Sequence, residues 1–137
     1  MIEAIIFGWA GTLYNKDKKG LFSYSERVLR ELRKKYKLVV ISKAVSDSVE
    51  KRRLQIRDLE RYFSYITVGL DKNQEQFIGC MRRLNVRPEN TLVVDDRTLR
   101  GIMIGNKLGC LTAWIQNGEY AHEIPNEETG EPTYKIN

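Results

Sequence analysis

Histidine occurs once and cysteine twice in these 137 residues, and that scarcity excludes several kinds of site. His122 has no Ser or Cys motif beside it, so neither a histidine-based triad nor a His/Cys metal cluster is expected. Cys80 falls in a helical pattern and Cys110 opens a strand. Both read as small buried hydrophobes rather than a disulfide framework, which suits a reducing, cytoplasmic setting. Long apolar runs are missing too: stretches such as 38–41 and 91–94 are far too short to span a bilayer. The opening Met-Ile-Glu-Ala lacks the basic-then-apolar pattern of an export signal. With only three prolines and no low-complexity tract, nothing divides the chain into more than one domain, 1–137.

Charge is abundant but uneven. Residues 1–118 hold 22 Lys+Arg against 13 Asp+Glu, whereas 119–137 hold one Lys against five Glu. The basic residues cluster at Arg30–Lys37, at Lys51–Arg57 and at Arg82–Arg87. They read as solvated helix faces that also attract polyanions, so RNA or an acidic protein is the natural macromolecular partner.

Strand-like and helix-like segments alternate, the pattern of an α/β domain with a parallel sheet. Strands are expected at 2–7, 38–41, 65–68, 91–94 and 110–115, with a candidate edge strand at 133–136 after a long acidic loop, 119–132. Ser23 and Glu26 have capping-box spacing for a helix with apolar stripe Val28, Leu29, Leu32 and Tyr36. Ser46 or Asp47 can cap the next helix, whose inward candidates are Val49, Leu54 and Ile56. Phe77, Ile78, Met81 and Leu84 mark a helix over 73–84, and 99–108 is helical despite Gly101 and Gly105. The gaps between the first three strands leave room for one helix each and no lid.

Ligands of open α/β sheets sit at the carboxyl ends of the strands. The residues just past those ends are Gly8–Thr12, Ser42-Lys43, Asp71-Lys72 and Asp95-Asp96-Arg97. A glycine loop, a hydroxyl, lysines and carboxylates form an inventory suited to an oxyanion. Trp9 either fills core beside this loop or offers a stacking surface. Adjacent Asp95 and Asp96 should point to opposite faces of their strand, which makes one of them structural.

The order of these groups resembles the four motifs of the haloacid dehalogenase superfamily, over essentially the whole chain. Phe7-Gly-Trp-Ala-Gly-Thr-Leu13 resembles the first motif, Asp-x-Asp-Gly-Thr-Leu, with Gly8 where the family keeps its nucleophile and Ala10 where it keeps its general acid/base. Ser42, after Leu-Val-Val-Ile, matches the second motif, and Lys72 the third-motif lysine, although Asn73 replaces the usual following Pro. Val93-Val-Asp-Asp96 matches the fourth motif, with Gly101 where a second Asp normally follows. The resemblance implies a single doubly wound, Rossmann-like α/β domain of the capless type, with a mainly parallel sheet of five or six strands.

It also implies a site. Gly11, Thr12, Ser42 and Lys72 would hold a phosphate, Asp96 with Asp95 would give at most a weak Mg2+ site, and no other cofactor is expected. No residue stands in the catalytic positions, because glycine cannot attack and alanine has no proton to give. The function expected is therefore a non-hydrolytic relative that binds a phosphorylated ligand, RNA or a protein. The alternatives are a magnesium-dependent phosphohydrolase with a non-standard site, for which Asp95 or a water held by Asp96 would replace the nucleophile, and a structural subunit of a complex.

Overall fold

Two-residue periodicity in the strands builds this molecule, described over residues 1–137 by a computed structural model. In Ala4–Phe7 (β1), Ile5 and Phe7 face one way and Ala4 and Ile6 the other, and all four are buried. Lys37–Lys43 (β4) repeats the device, with Leu38 and Val40 on the first face and Val39 and Ile41 on the second. Strands apolar on both sides belong in a sheet covered on both sides.

Tyr65–Gly69 (β5), Thr91–Asp95 (β6), Leu111–Ile115 (β7) and Tyr134–Ile136 (β8) join β1 and β4 in one sheet. All six strands run parallel, in the order β5-β4-β1-β6-β7-β8, with β5 and β8 at the edges. Helices Ser25–Leu32 (α1) and Val49–Arg57 (α2) cover one face through Leu29 and Ile56. Gln74–Leu84 (α3) and Met103–Leu108 (α4) cover the other through Phe77, Cys80, Met81 and Ile104. The chain is thus doubly wound, and the edge strand expected at the end of the acidic loop is present as β8.

Five local expectations change, the first being the cap on α2: Ser46 and Asp47 lie in a 3-10 turn, Ser46–Ser48, and neither side chain caps the helix. Ser23 does not cap α1, which begins at Ser25 without a side-chain cap; the Ser25 hydroxyl donates instead to Leu13 O at 2.7 Å and ties the helix to the first loop. Glu26, the intended partner, is held by Arg61 and Tyr62. Leu54 points outward, 57% exposed, because Val49, Arg52 and Ile56 define the inner face of α2. The Asn-Lys-Asp-Gly segment is a small hairpin, Tyr14–Asn15 (β2) with Gly20–Leu21 (β3). Gly101 falls within a π-helical turn, Thr98–Ile102, ahead of α4.

Helix α3 owes its start to Asn73, whose side chain accepts from Gln76 N while the Gln76 side chain accepts from Asn73 N. This capping box also fixes the residue after Lys72. Asn73→Ala is expected to lower stability by about 1 kcal/mol in a urea melt, and Asn73→Asp to retain most of it; an unchanged midpoint for Asn73→Ala would contradict this assignment.

Candidate functional site

The loop after β1 is tied back on itself. Gly8 N donates to Val94 O at 2.9 Å, which prolongs the pairing of β1 with β6. The amides of Thr12, Leu13 and Tyr14 all converge on Trp9 O, and Gly11 N donates to Tyr14 O at 2.9 Å. Gly11 takes φ +81°, a left-handed value that suits glycine. The amides of Gly11 and Thr12, expected to face an oxyanion, are therefore engaged within the loop, and the Thr12 hydroxyl is buried without a partner. Trp9 is core rather than a stacking platform: it is buried, stacks on Tyr14, and donates its indole N–H to Gln55 Oε1 at 3.0 Å.

Asp95 is the structural member of the aspartate pair. Continuing the alternation of β6, it points with Val93 toward the α3–α4 side, where Lys72 and Gly101 lie. Its carboxylate accepts from Lys72 Nζ, from Gly101 N and from its neighbour Asp96 N, each at 2.9 Å. The two charged side chains are almost wholly removed from water, at 7% and 3% exposure. Burial alone would raise the Asp95 carboxyl; the charge and hydrogen bond of Lys72, with the bonds from Asp96, overcome it and hold the group below its ordinary range.

The space that Asp95 fills explains the glycines around it. A Cβ on Gly8 would meet Asp95 Oδ1 at 2.5 Å, and one on Gly101 would press still closer on Oδ2. Any side chain at either position would displace this carboxylate.

Asp96 lies just past β6, against Gly11 and beneath the cleft, and is 5% exposed. Its carbonyl accepts from Trp114 Nε1 at 3.0 Å, which fixes the backbone. Burial first, then repulsion from Asp95 and a hydrogen bond with it, push the Asp96 carboxyl up to about 8. The donor set does not fit a tightly held Mg2+. Asp95 has its oxygens engaged, and nowhere do three His, Cys, Asp or Glu side chains converge.

Ser42, Lys72, Asp95 and Asp96 do meet, with Trp9, around a recess of about 50 Å³. Ser42 is not free, however: its Oγ accepts from Arg52 at 2.6 Å, and the same guanidinium donates to Lys43 O at 3.0 Å. Arg52 is a site residue that the sequence reading placed only in a basic cluster. The signal was present, since a cation shares the inner face of α2 with Val49 and Ile56. Burial pulls its pKa below the ordinary arginine value. The recess opens into a cleft of about 630 Å³, lined among others by Gly11, Lys43, Arg52, Asp96 and Arg100 and by Phe22, Asn117 and Tyr120.

The far wall is held by the acidic loop. Glu123 receives Arg97 Nε at 3.0 Å and Leu99 N at 3.0 Å, and its carbonyl receives the Thr98 hydroxyl at 2.8 Å. Arg97 also lies over the Tyr120 ring, 3.7 Å from its centroid. Further along, Asn106 Nδ2 donates to the carbonyls of Thr129 and Glu131. Loop contacts this distant in sequence carry no periodic signal, so Glu123 was not foreseeable. His122, in the same loop, is exposed.

A six-stranded parallel sheet with its polar residues gathered at the carboxyl ends is the architecture of phosphate-handling α/β domains. The family described as haloacid dehalogenase-like hydrolase matches residues 5–115, and the chain belongs to it. Among curated proteins, the glyceraldehyde 3-phosphate phosphatase of Methanopyrus kandleri is 34% identical over 70 residues, 50% of this chain and 30% of that protein's length. The chain thus spans under a third of the curated relative it matches.

Among solved structures, the 2-haloacid dehalogenase from Pseudomonas syringae pv. Tomato DC3000 superposes with a TM-score of 0.76 at 15% identity, over 99% of this chain and 94% of that one. The putative HAD-hydrolase YfnB from Bacillus subtilis, bound to magnesium, gives 0.67 at 24% identity, over 85% and 51%. An uncharacterized protein from Listeria monocytogenes serotype 4b gives 0.75 at 16%, over 98% and 90%. At these identities the likeness is one of fold.

The two aspartates leave opposite marks on stability. Asp95, with its depressed value, stabilises the fold at any pH above the unfolded 3.8, and that contribution is lost as pH falls through its folded value. Asp96 keeps a proton up to about 8 in the fold but loses it near 3.8 when unfolded, so stability falls as pH rises through that window. Asp96→Asn is expected to remove this slope, which is at most about 1.4 kcal/mol per pH unit, and to raise the melting temperature above pH 8. Parallel melting curves of variant and parent that keep the same slope would contradict the assignment.

Proposed function

We propose that this haloacid dehalogenase-like protein binds an anionic, phosphorylated ligand at the carboxyl edge of its sheet and does not hydrolyse it. The observation that carries the reading is at the tip of β1. Gly8 and Ala10 bring no carboxylate there, and the nearest one, Asp95, is 2% exposed with its oxygens engaged by Lys72 and two amides. Covalent phosphoryl transfer needs an accessible nucleophile. Attack by Asp95 would break a buried ion pair, at a cost of about 3–5 kcal/mol before any bond forms. Groups that act as a unit fail together, so the remaining Ser42 and Lys72 do not restore partial turnover. The basic helix faces support RNA or an acidic protein as a larger partner for the same body.

A second reading is a magnesium-dependent phosphohydrolase. Its supports are the partial match to a protein named as a phosphatase and the Asp96 carboxyl at about 8, a value suited to a general acid. An aryl phosphate assay with Mg2+ separates the two. No release above the buffer rate is expected, and turnover that disappears in Asp96→Asn would replace the first reading by the second.

A further inference from the structure

The cleft contains three cations without an acidic partner. Lys43 ends β4, Arg52 stands on the inner face of α2, and Arg100 lies in the π-helical turn after β6. All three are half-buried, all three line both the recess and the larger cleft, and none forms an ion pair. Asp71 is close enough to feel Lys43 and Arg100, but it is exposed and pairs with neither. The other cations of the cleft are matched: Lys16 by Glu119 and Arg97 by Glu123. Of the remaining acids, Asp17 is exposed and Asp96 is buried, and neither forms an ion pair.

Half-buried charges that lack a partner within the chain are costly unless something else neutralises them. Of the groups expected to hold an anion, Lys72 is paired with Asp95, the Ser42 oxygen accepts from Arg52, and the Gly11 and Thr12 amides close their own loop. Arginine forks on separate elements suit more than one phosphate group. The cleft, at about 630 Å³, is of the size that holds an organic ligand, far more than one inorganic anion needs. The same cleft is lined by Tyr120 and Phe22, each with one ring face packed, on Arg97 and on Tyr24, and by Asn15 and Asn117. Flat rings beside amides are what a nucleobase stacks on and hydrogen-bonds to.

Resting on the non-hydrolytic reading above, we propose that the ligand is a nucleoside diphosphate. Its phosphates lie on Lys43, Arg52 and Arg100, and its base lies toward Tyr120 and Asn117. The anion seat is then these three cations, which line both recess and cleft, rather than Lys72.

Titration calorimetry in chelator at low salt tests this with ADP, GDP, pyrophosphate, inorganic phosphate and ribose 5-phosphate. A nucleoside diphosphate is expected to bind at least about tenfold tighter than pyrophosphate, and Arg52→Gln and Arg100→Gln each to weaken it by about tenfold or more. Tyr120→Ala is expected to erase the preference for the nucleoside and leave pyrophosphate binding intact. Arg100 makes no side-chain hydrogen bond within the protein, so its variant stays informative if loss of the Arg52 bonds to Ser42 and Lys43 unfolds the chain. Equal affinity for pyrophosphate and nucleotides overturns the base assignment. Binding untouched by Arg100→Gln overturns the rim, and a 5′-phosphorylated RNA oligonucleotide that outcompetes every nucleotide replaces the ligand by RNA. Hydrolysis of any probe, or no affinity for any anion, instead overturns the function proposed above.

Discussion

A buried ion pair between Asp95 and Lys72 organises everything at the carboxyl edge of this sheet. Isolated charges in such a place cost several kcal/mol each, and the pair persists because the lysine and two amides satisfy the carboxylate. The carboxylate has three donors at 2.9 Å, two of them backbone amides that the end of β6 and the π-helical turn hold in place. The same carboxylate fills the volume that side chains at positions 8 and 101 would need, and glycine occupies both. One aspartate thus fixes the lysine, the turn and the shape of the first loop together.

The cleft inherits its character from that arrangement. With Lys72 paired and the Gly11 and Thr12 amides bonded within their loop, the cations of the cleft left without an ion pair are Lys43, Arg52 and Arg100. The opposite wall would be a loose acidic tail but for Glu123, which docks on Arg97, Thr98 and Leu99 and sets Tyr120 beside the opening. Beyond it, Thr112 and Thr133 exchange hydrogen bonds at 3.0 Å and lead β8 onto the sheet. The acidic segment is therefore part of the fold, and it brings Glu119 and Tyr120 to the cleft.

Most of the scaffold was legible because strand alternation and apolar spacing are local signals. Ile5 and Phe7 against Ala4 and Ile6, or Phe77 and Met81 four apart, announce their faces without tertiary information. The rule that adjacent strand residues point apart did not hold for Asp95 and Asp96, since β6 ends at Asp95 and the two carboxyl groups meet in the same recess. What could not be read were contacts made across the fold. Ser23 and Glu26 have the spacing of a cap, yet Ser25 found Leu13 O and Glu26 found Arg61. Lys72 could be placed near a phosphate by its position after a strand, but nothing local announced that Asp95 would claim it. Arg52 left a trace in the α2 pattern, and Glu123 left none.

The central claim is that Asp95 stands in for absent side chains at the tip of β1 as the partner of Lys72. A double-mutant cycle in urea unfolding with Gly8→Asp and Asp95→Gly tests it most directly. A Cβ at position 8 lies 3.4 Å from Lys72 Nζ, so an aspartate there can take over the pair once Asp95 is gone. Each single change is expected to destabilise strongly, and the double variant to recover, with a coupling of at least about 2 kcal/mol. Effects that add within about 0.5 kcal/mol would contradict the account.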